Sequence, residues 1–84
     1  MTETAENRIK RLKMRSMRRG IKEMDIILSA YADSELAGMS ESKITLYDAL
    51  LQENDQDLYS WVTGQTTPPA EFQDLLAEIS QTFQ

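Results

Sequence analysis

Residues 21–31 read Ile-Lys-Glu-Met-Asp-Ile-Ile-Leu-Ser-Ala-Tyr, and this stretch decides the fold. Apolar side chains recur along it at the spacing of one helical face, at Ile21, Met24, Leu28 and Tyr31. Ile26 and Ile27 widen that face until it is nearly continuous. Since a helix that is apolar over so much of its surface has to be buried, the stretch predicts the central helix of a helical protein.

On the N-terminal side, Gly20 separates this helix from a basic segment. Glycine inside a helix costs about 1 kcal/mol relative to alanine, so we expect the chain to change direction there. From Thr4, a candidate N-cap, to Met17 the spacing predicts a first helix with a weak apolar stripe. Its inward candidates are Ile9 and Leu12, together with Met14 or Met17, and its polar face is dominated by Arg8, Arg11, Arg15 and Arg18.

On the C-terminal side, capping residues and turn signals divide the chain into three further helices. The third is capped by Ser40, and its apolar stripe consists of Ile44, Tyr47, Leu50 and Leu51. The fourth begins at Asn54 or Asp55 and stops at Gly64, a C-cap position, with Leu58, Trp61 and Val62 inward. Pro68-Pro69 suits the first turn of a fifth helix, which is apolar at Phe72, Leu75, Leu76, Ile79 and Phe83.

These patterns predict an all-α fold, a compact five-helix bundle in a single domain. A chain of 84 residues has room for one thin core. We expect a flexible N-terminus over residues 1–7 and one helical domain over residues 8–84.

Cysteine and histidine are both absent from the sequence. Their absence excludes disulfides, thiolate metal sites and catalysis by either side chain. We therefore expect a protein that is not an enzyme, with no catalytic residue, no metal site and no tightly bound cofactor. The N-terminal residues contain acids and no apolar run, and no apolar run in the chain, such as residues 26–28, exceeds three residues, so we expect a cytoplasmic protein without membrane insertion.

Charge is distributed unevenly, since eight of the nine basic residues lie between Arg8 and Lys22. Residues 1–22 carry a net charge of +6 and residues 23–84 a net charge of −11. No aromatic residue accompanies the basic segment, and the acidic remainder would repel a polyanion, so we expect no nucleic-acid partner. A solvated face or a docking face for an acidic partner protein is the better interpretation.

Residues 18–25, Arg-Arg-Gly-Ile-Lys-Glu-Met-Asp, form the most unusual local feature. Arginine offers a rigid fork of donors, and glycine permits close approach of another backbone or a ligand. The alternative is structural: Gly20 is only a hinge, and Arg19 pairs with Glu23 across one helical turn.

Tyr59 and Trp61 could form a binding hot spot or occupy core positions. Helical spacing favours the core for Trp61.

Two segments resemble the bacterial succinate dehydrogenase assembly factor family, SdhE. Residues 11–13 and 15–16, followed by residues 18–28, are similar to its signature block. Residues 50–62, Leu-Leu-Gln-Glu-Asn-Asp-Gln-Asp-Leu-Tyr-Ser-Trp-Val, are similar to its second block. Residues 66–69 stand where that family has a proline-containing turn before its last helix. The resemblance implies a five-helix fold, as the periodicity also predicts.

The resemblance further implies a chaperone-like role in flavinylation through protein–protein interaction. The partner would be the flavoprotein subunit of succinate dehydrogenase, with the fumarate reductase flavoprotein as a possible second client, and the cofactor would be the FAD that becomes attached to a histidine of the client. Arg19, Gly20 and Glu23 match the family's RGxxE motif, in which Arg19 would supply hydrogen bonds to the client. The expected partner-binding residues are Arg11, Arg15, Arg18, Arg19, Gly20, Glu23 and Asp25. The rival interpretation is an antitoxin-like regulator that binds a membrane-associated toxin or another protein.

Overall fold

The computed structural model describes residues 3–17 and 19–83, and over these residues it contains five α-helices, two 3-10 turns and no strand. The five-helix prediction is therefore confirmed. The helices are α1 (Ala5–Ser16), α2 (Lys22–Glu35), α3 (Glu41–Leu51), α4 (Asp55–Val62) and α5 (Gln73–Phe83), with 3-10 turns at Leu36–Gly38 and Ala70–Phe72. Residues 5–7 are the first residues of α1, as the Thr4 N-cap predicts, and not part of a flexible N-terminus. No helix in the described part of the chain is long and apolar enough to cross a membrane.

Local capping chemistry sets the starts of α1, α3 and α4, as the sequence predicts. Thr4 accepts a hydrogen bond from the Asn7 N–H at 3.1 Å, and Ser40 accepts one from the Lys43 N–H at 3.3 Å. Asn54, rather than Asp55, caps α4 by accepting from the Gln56 N–H at 2.8 Å.

Glycine and proline mark the boundary between α4 and α5. Gly64 follows the C-cap residue Thr63 with a φ of +80°, the left-handed conformation that glycine adopts without steric cost. The two prolines precede the last helix instead of forming its first turn, because Pro69 is the N-cap of the 3-10 turn that leads into α5. The predicted position of the prolines is therefore corrected by a few residues.

Helix α2 is central and packs against α1, α4 and α5. Its buried side chains are Met24, Ile27, Leu28, Tyr31 and Ala32. The prediction that Ile26 widens the buried face is wrong, since its side chain is 55% exposed. Successive helical residues are about 100° apart, so Ile26 lies about 200° from both Met24 and Leu28 and points away from the core.

The same geometry corrects the prediction for α1. Leu12 and Ser16 are buried and Ile9 is partly buried, whereas Met14 lies two residues from both buried positions and is 70% exposed. Met17 follows the last residue of α1 in extended backbone and is 47% exposed. The two methionines therefore face solvent beside the end of α1.

The core is closed by a buried polar contact and by partly buried aromatic rings. Ser16 Oγ lies 2.6 Å from the hydroxyl of Tyr47 and donates to the Leu12 carbonyl at 2.8 Å, which ties α1 to α3. Burial raises the pKa of Tyr47 to about 12, so the hydroxyl is protonated and available as a donor. Trp61, expected in the core, is only partly buried and packs on Phe72 with ring centroids 6.3 Å apart.

Candidate functional site

The turn between α1 and α2 contacts the start of α4 through one carboxylate. Asp55 is the first residue of α4, where an acid complements the helix dipole. Its Oδ1 accepts from Arg19 Nε at 2.7 Å, and its Oδ2 accepts from the Gly20 N–H at 2.6 Å. We call Arg19, Gly20 and Asp55 the corner. The corner joins the two sequence segments, residues 18–28 and 50–62, that stand out in the sequence.

Arg19 uses its guanidinium inside the molecule. Nη1 donates to the Arg15 carbonyl at 3.0 Å and to the Leu51 carbonyl at 3.2 Å, and Nη2 donates to the Glu53 carbonyl at 3.4 Å. Its side chain is 9% exposed. The proposed helical pair between Arg19 and Glu23 is therefore wrong, because the acid that Arg19 binds is Asp55 of α4.

Gly20 is exposed at the surface, but the Asp55 carboxylate lies close to the position that a side chain would occupy. A Cβ atom added to it would lie 3.0 Å from Asp55 Oδ2 and 4.0 Å from Asp55 Cγ. Glycine therefore allows this close approach without displacing the neighbour, and the group that approaches is a carboxylate of this chain.

A groove of about 630 Å³ opens beside the corner. One wall is formed by the end of α1 and the following residues, with Met14, Arg15, Met17 and Ile21, and the other by residues 51–56. The exposed thioethers supply adaptable apolar contact area, and the polar wall supplies hydrogen-bonding groups. Within residues 3–17 and 19–83 no group of three or more His, Cys, Asp or Glu side chains is arranged to hold a metal ion. This arrangement suits the binding of a protein surface.

The expected site residues are distributed unequally around this groove. Arg15, Arg19 and Gly20 line it, while Glu23 is exposed on the first turn of α2. Asp25 is half-buried and accepts from Ser29 Oγ at 3.2 Å. Arg18 lies outside the described residues.

Arg11 does not line the groove, and its guanidinium instead binds acids at the start of the chain and on α3. It donates to Asp48 Oδ2 at 2.8 Å and to Glu3 Oε2 at 2.8 Å. Arg8 donates to Thr45 Oγ1 at 2.9 Å on the same side. Part of the basic face therefore neutralises the acidic remainder of the chain itself, and among the arginines of α1 Arg15 is the one left exposed at the groove.

Three residues that line the groove are not among the site residues expected from the sequence: Asp55, Met14 and Met17. Asp55 complements the dipole of α4 as an acid in its first turn, but its second role, as the acceptor for Arg19 and Gly20, depends on residues 36 and 35 positions away. A signal was present in the spacing of α1, since a methionine two residues from each buried position has to point outward.

Acidification tests the ion pairs between helices. The hydrogen bond from Arg11 holds the pKa of Asp48 below its ordinary value, and bonds from Lys43 and Tyr31 do the same for Glu78. A carboxyl group whose pKa is lower in the folded state contributes stability above its unfolded pKa and loses it as the pH falls through the folded pKa. We expect the free energy of unfolding, measured by urea denaturation, to fall as the pH drops below about 5.

The variant Asp48→Asn should reduce that dependence on pH, because it removes one of the titrating groups. Asp33→Asn, at an exposed position of α2, is the control. If the stability of the Asp48→Asn protein declines with acid as steeply as that of the parent, the pairing of α1 with α3 does not contribute as described.

Comparison with known proteins places these features in context. Residues 10–83 match the family model described as "Flavinator of succinate dehydrogenase". The chain is 43% identical over 72 residues to succinate dehydrogenase assembly factor 2, mitochondrial, of Aspergillus flavus, which covers 86% of this chain and 23% of that protein. The protein of the same name from Meyerozyma guilliermondii is 44% identical over 73% of this chain and 45% of its own length.

A bacterial relative is matched over nearly its whole length. The FAD assembly factor SdhE of Legionella pneumophila is 31% identical over 74 residues, which cover 88% of this chain and 94% of that protein. The chain thus spans less than half the length of the two mitochondrial relatives and almost all of the bacterial one.

Proposed function

The chain belongs to the family of flavinators of succinate dehydrogenase, and on this premise we propose that it binds the flavoprotein subunit of succinate dehydrogenase and promotes covalent attachment of FAD to that subunit. The observation that carries the proposal is the corner. The family match includes both sequence segments, residues 18–28 and 50–62, and Asp55 binds Arg19 and Gly20 where the two segments meet. A surface to which both distinctive segments contribute is a good candidate for the surface that binds the client.

The proposed mechanism is binding without catalysis by this chain. Lacking histidine and cysteine, the chain has no usual acceptor for a covalent flavin, so the bond forms on the client and uses the client's own groups. A factor that binds the attachment-competent conformation of its client more tightly than other conformations raises the population of that conformation. A differential affinity of about 1.4 kcal/mol would raise that population, and with it the attachment rate, up to about tenfold.

We propose that the client contacts the groove and the adjoining surface, including Arg15, Gly20, Glu23 and Asp25. Arg18, from the same motif, is proposed on its sequence alone. Arg11 and Arg19 make their hydrogen bonds within the chain, which supports a less direct role for both. We further propose that the protein acts in the cytoplasm and that the fumarate reductase flavoprotein is a second client.

The deciding experiment measures covalent flavin on the client. The succinate dehydrogenase flavoprotein is produced with and without this chain, and its bound flavin is detected by in-gel fluorescence after denaturation. We expect fluorescence to rise severalfold when the chain is present. Unchanged fluorescence would refute the proposal, and pull-down of a small membrane toxin instead of a flavoprotein would favour the antitoxin-like function.

The exposed methionines give a first test of the groove. Replacing Met14 and Met17 together by glutamine removes apolar contact area while keeping side-chain length. We expect client affinity to fall about tenfold, because burying even part of a methionine side chain contributes on the order of 1 kcal/mol. The free energy of unfolding should hardly change, since both side chains are exposed.

Two controls accompany this variant. The double substitution by leucine keeps the apolar character and should retain affinity, and Ala77→Gln adds an amide at an exposed position of α5 that does not line the groove. Equal affinity for the glutamine and leucine proteins would show that the methionine edge does not contact the client.

A further inference from the structure

The guanidinium of Arg19 has almost no hydrogen-bonding capacity left for another molecule. Of its five N–H groups, four are engaged: Nε–H by Asp55, two on Nη1 by the carbonyls of Arg15 and Leu51, and one on Nη2 by the Glu53 carbonyl. A client carboxylate that binds arginine through two parallel hydrogen bonds needs two free donors on one edge of the fork. With one N–H left and 9% of the side chain exposed, Arg19 offers no such edge.

The contacts of Arg19 lie at three helix ends. The carbonyl of Arg15 belongs to the last turn of α1 and that of Leu51 to the end of α3, where helical carbonyls lack intrahelical partners. Asp55 begins α4. One cation therefore satisfies acceptors at two helix C-termini and an acid at a third helix N-terminus. The residues between these ends, 52–54, form much of the polar wall of the groove.

We infer that Arg19 and Asp55 are positioning residues of the docking site: they hold residues 52–54 and the Gly20 backbone in the arrangement that the client binds, and Arg19 does not bind a client carboxylate through two parallel hydrogen bonds. This inference rests on the proposed function. It reassigns the arginine of the RGxxE motif from a contact with the partner to an internal tie between the two segments that build the groove.

The Gly20 amide reports directly on this tie. Its N–H donates to Asp55 Oδ2 at 2.6 Å, and the residue is otherwise exposed. If Asp55 moves, the Gly20 N–H is no longer hydrogen-bonded to the carboxylate and contacts water instead. Its hydrogen exchange then accelerates. The exchange rate of the Gly20 amide thus distinguishes two effects of a substitution. A variant that displaces Asp55 accelerates exchange, whereas a variant that only removes a contact with the client does not.

The test compares Arg19→Lys and Asp55→Asn in the full chain, each for client affinity and for Gly20 amide exchange measured by NMR. Lysine keeps the charge but cannot satisfy four acceptors at once, and asparagine keeps the shape of Asp55 but not its charge. We expect each variant to accelerate Gly20 exchange and to weaken client binding at least tenfold. The double variant should be little worse than either single variant, because both remove the same tie.

The glutamine variant of Met14 and Met17 is the matched comparison, since it should weaken client binding without accelerating exchange at Gly20. Two results would overturn the inference. In one, Arg19→Lys weakens binding while Gly20 exchange stays at the parent rate, which marks Arg19 as a direct contact. In the other, exchange accelerates in both variants and client affinity is unchanged. If the unmodified chain fails to bind the flavoprotein, the proposed function itself is wrong, which is a different outcome.

Discussion

Replacing Gly20 with arginine is expected to abolish client binding while leaving the five helices in place. The new Cβ would lie 3.0 Å from Asp55 Oδ2, so the carboxylate would have to shift by a few tenths of an ångström against its hydrogen bond with the Gly20 N–H. The substitution also places a long side chain on the surface proposed to contact the client. We expect a loss of affinity of about 100-fold or more, the size seen when a central interface residue is lost.

The fold should survive this substitution, because Gly20 lies outside the helices and is exposed. Losing one hydrogen bond there costs about 1 kcal/mol of the free energy of unfolding. Circular dichroism and urea denaturation check the fold, and pull-down with in-gel flavin fluorescence checks binding and attachment.

Gly38→Arg is a well-matched control for the same change. Gly38 has no atom within 4 Å of the position of an added Cβ and does not line the groove, so the side chain would extend into open space. This protein should bind the client like the parent. A Gly20→Arg protein that still binds the flavoprotein and restores its covalent flavin would show that the corner is not the docking site.

The contrast between these two glycines illustrates what could be predicted for the site. The segment from residues 18–25 was identified because its residue types are unusual together, and that is a local property. The partner of Arg19 could not be identified in the same way, because a helical spacing offers Glu23 at four residues while Asp55 lies 36 residues away. Whether Arg19 faces inward depends on how close the ends of α1 and α3 lie to the start of α4. The sequence of a single segment does not determine that distance.

The fold was more accessible because most of its determinants act within one or two helical turns. Thr4, Ser40 and Asn54 each bind an N–H two or three residues later, so their capping roles follow from the local sequence. The apolar faces of α2 and α5 predicted their buried sides for the same reason. The misplaced residues, Met14, Met17 and Ile26, are apolar side chains on outward faces, and composition alone cannot separate these from core positions.

Replacing Leu28 with alanine is expected to cost about 2–5 kcal/mol of the free energy of unfolding, the range for truncating a fully buried leucine. Leu28 is 0% exposed on the central helix, where neighbouring helices leave little freedom to collapse into the space. A chain of 84 residues has on the order of 4–13 kcal/mol of stability in total, so this single change removes a large part of it. Urea denaturation measures the loss.

Ile26→Ala on the same helix removes a side chain of similar size and is the control. Because Ile26 is 55% exposed, its truncation should change the free energy of unfolding by no more than about 0.5 kcal/mol. The pair therefore tests the orientation of α2, which is the premise for the corner, since Lys22 begins this helix two residues after Gly20. Comparable losses for the two variants would mean that α2 is rotated from the orientation described, and the positions of Gly20 and Glu23 at the surface would then have to be reassigned.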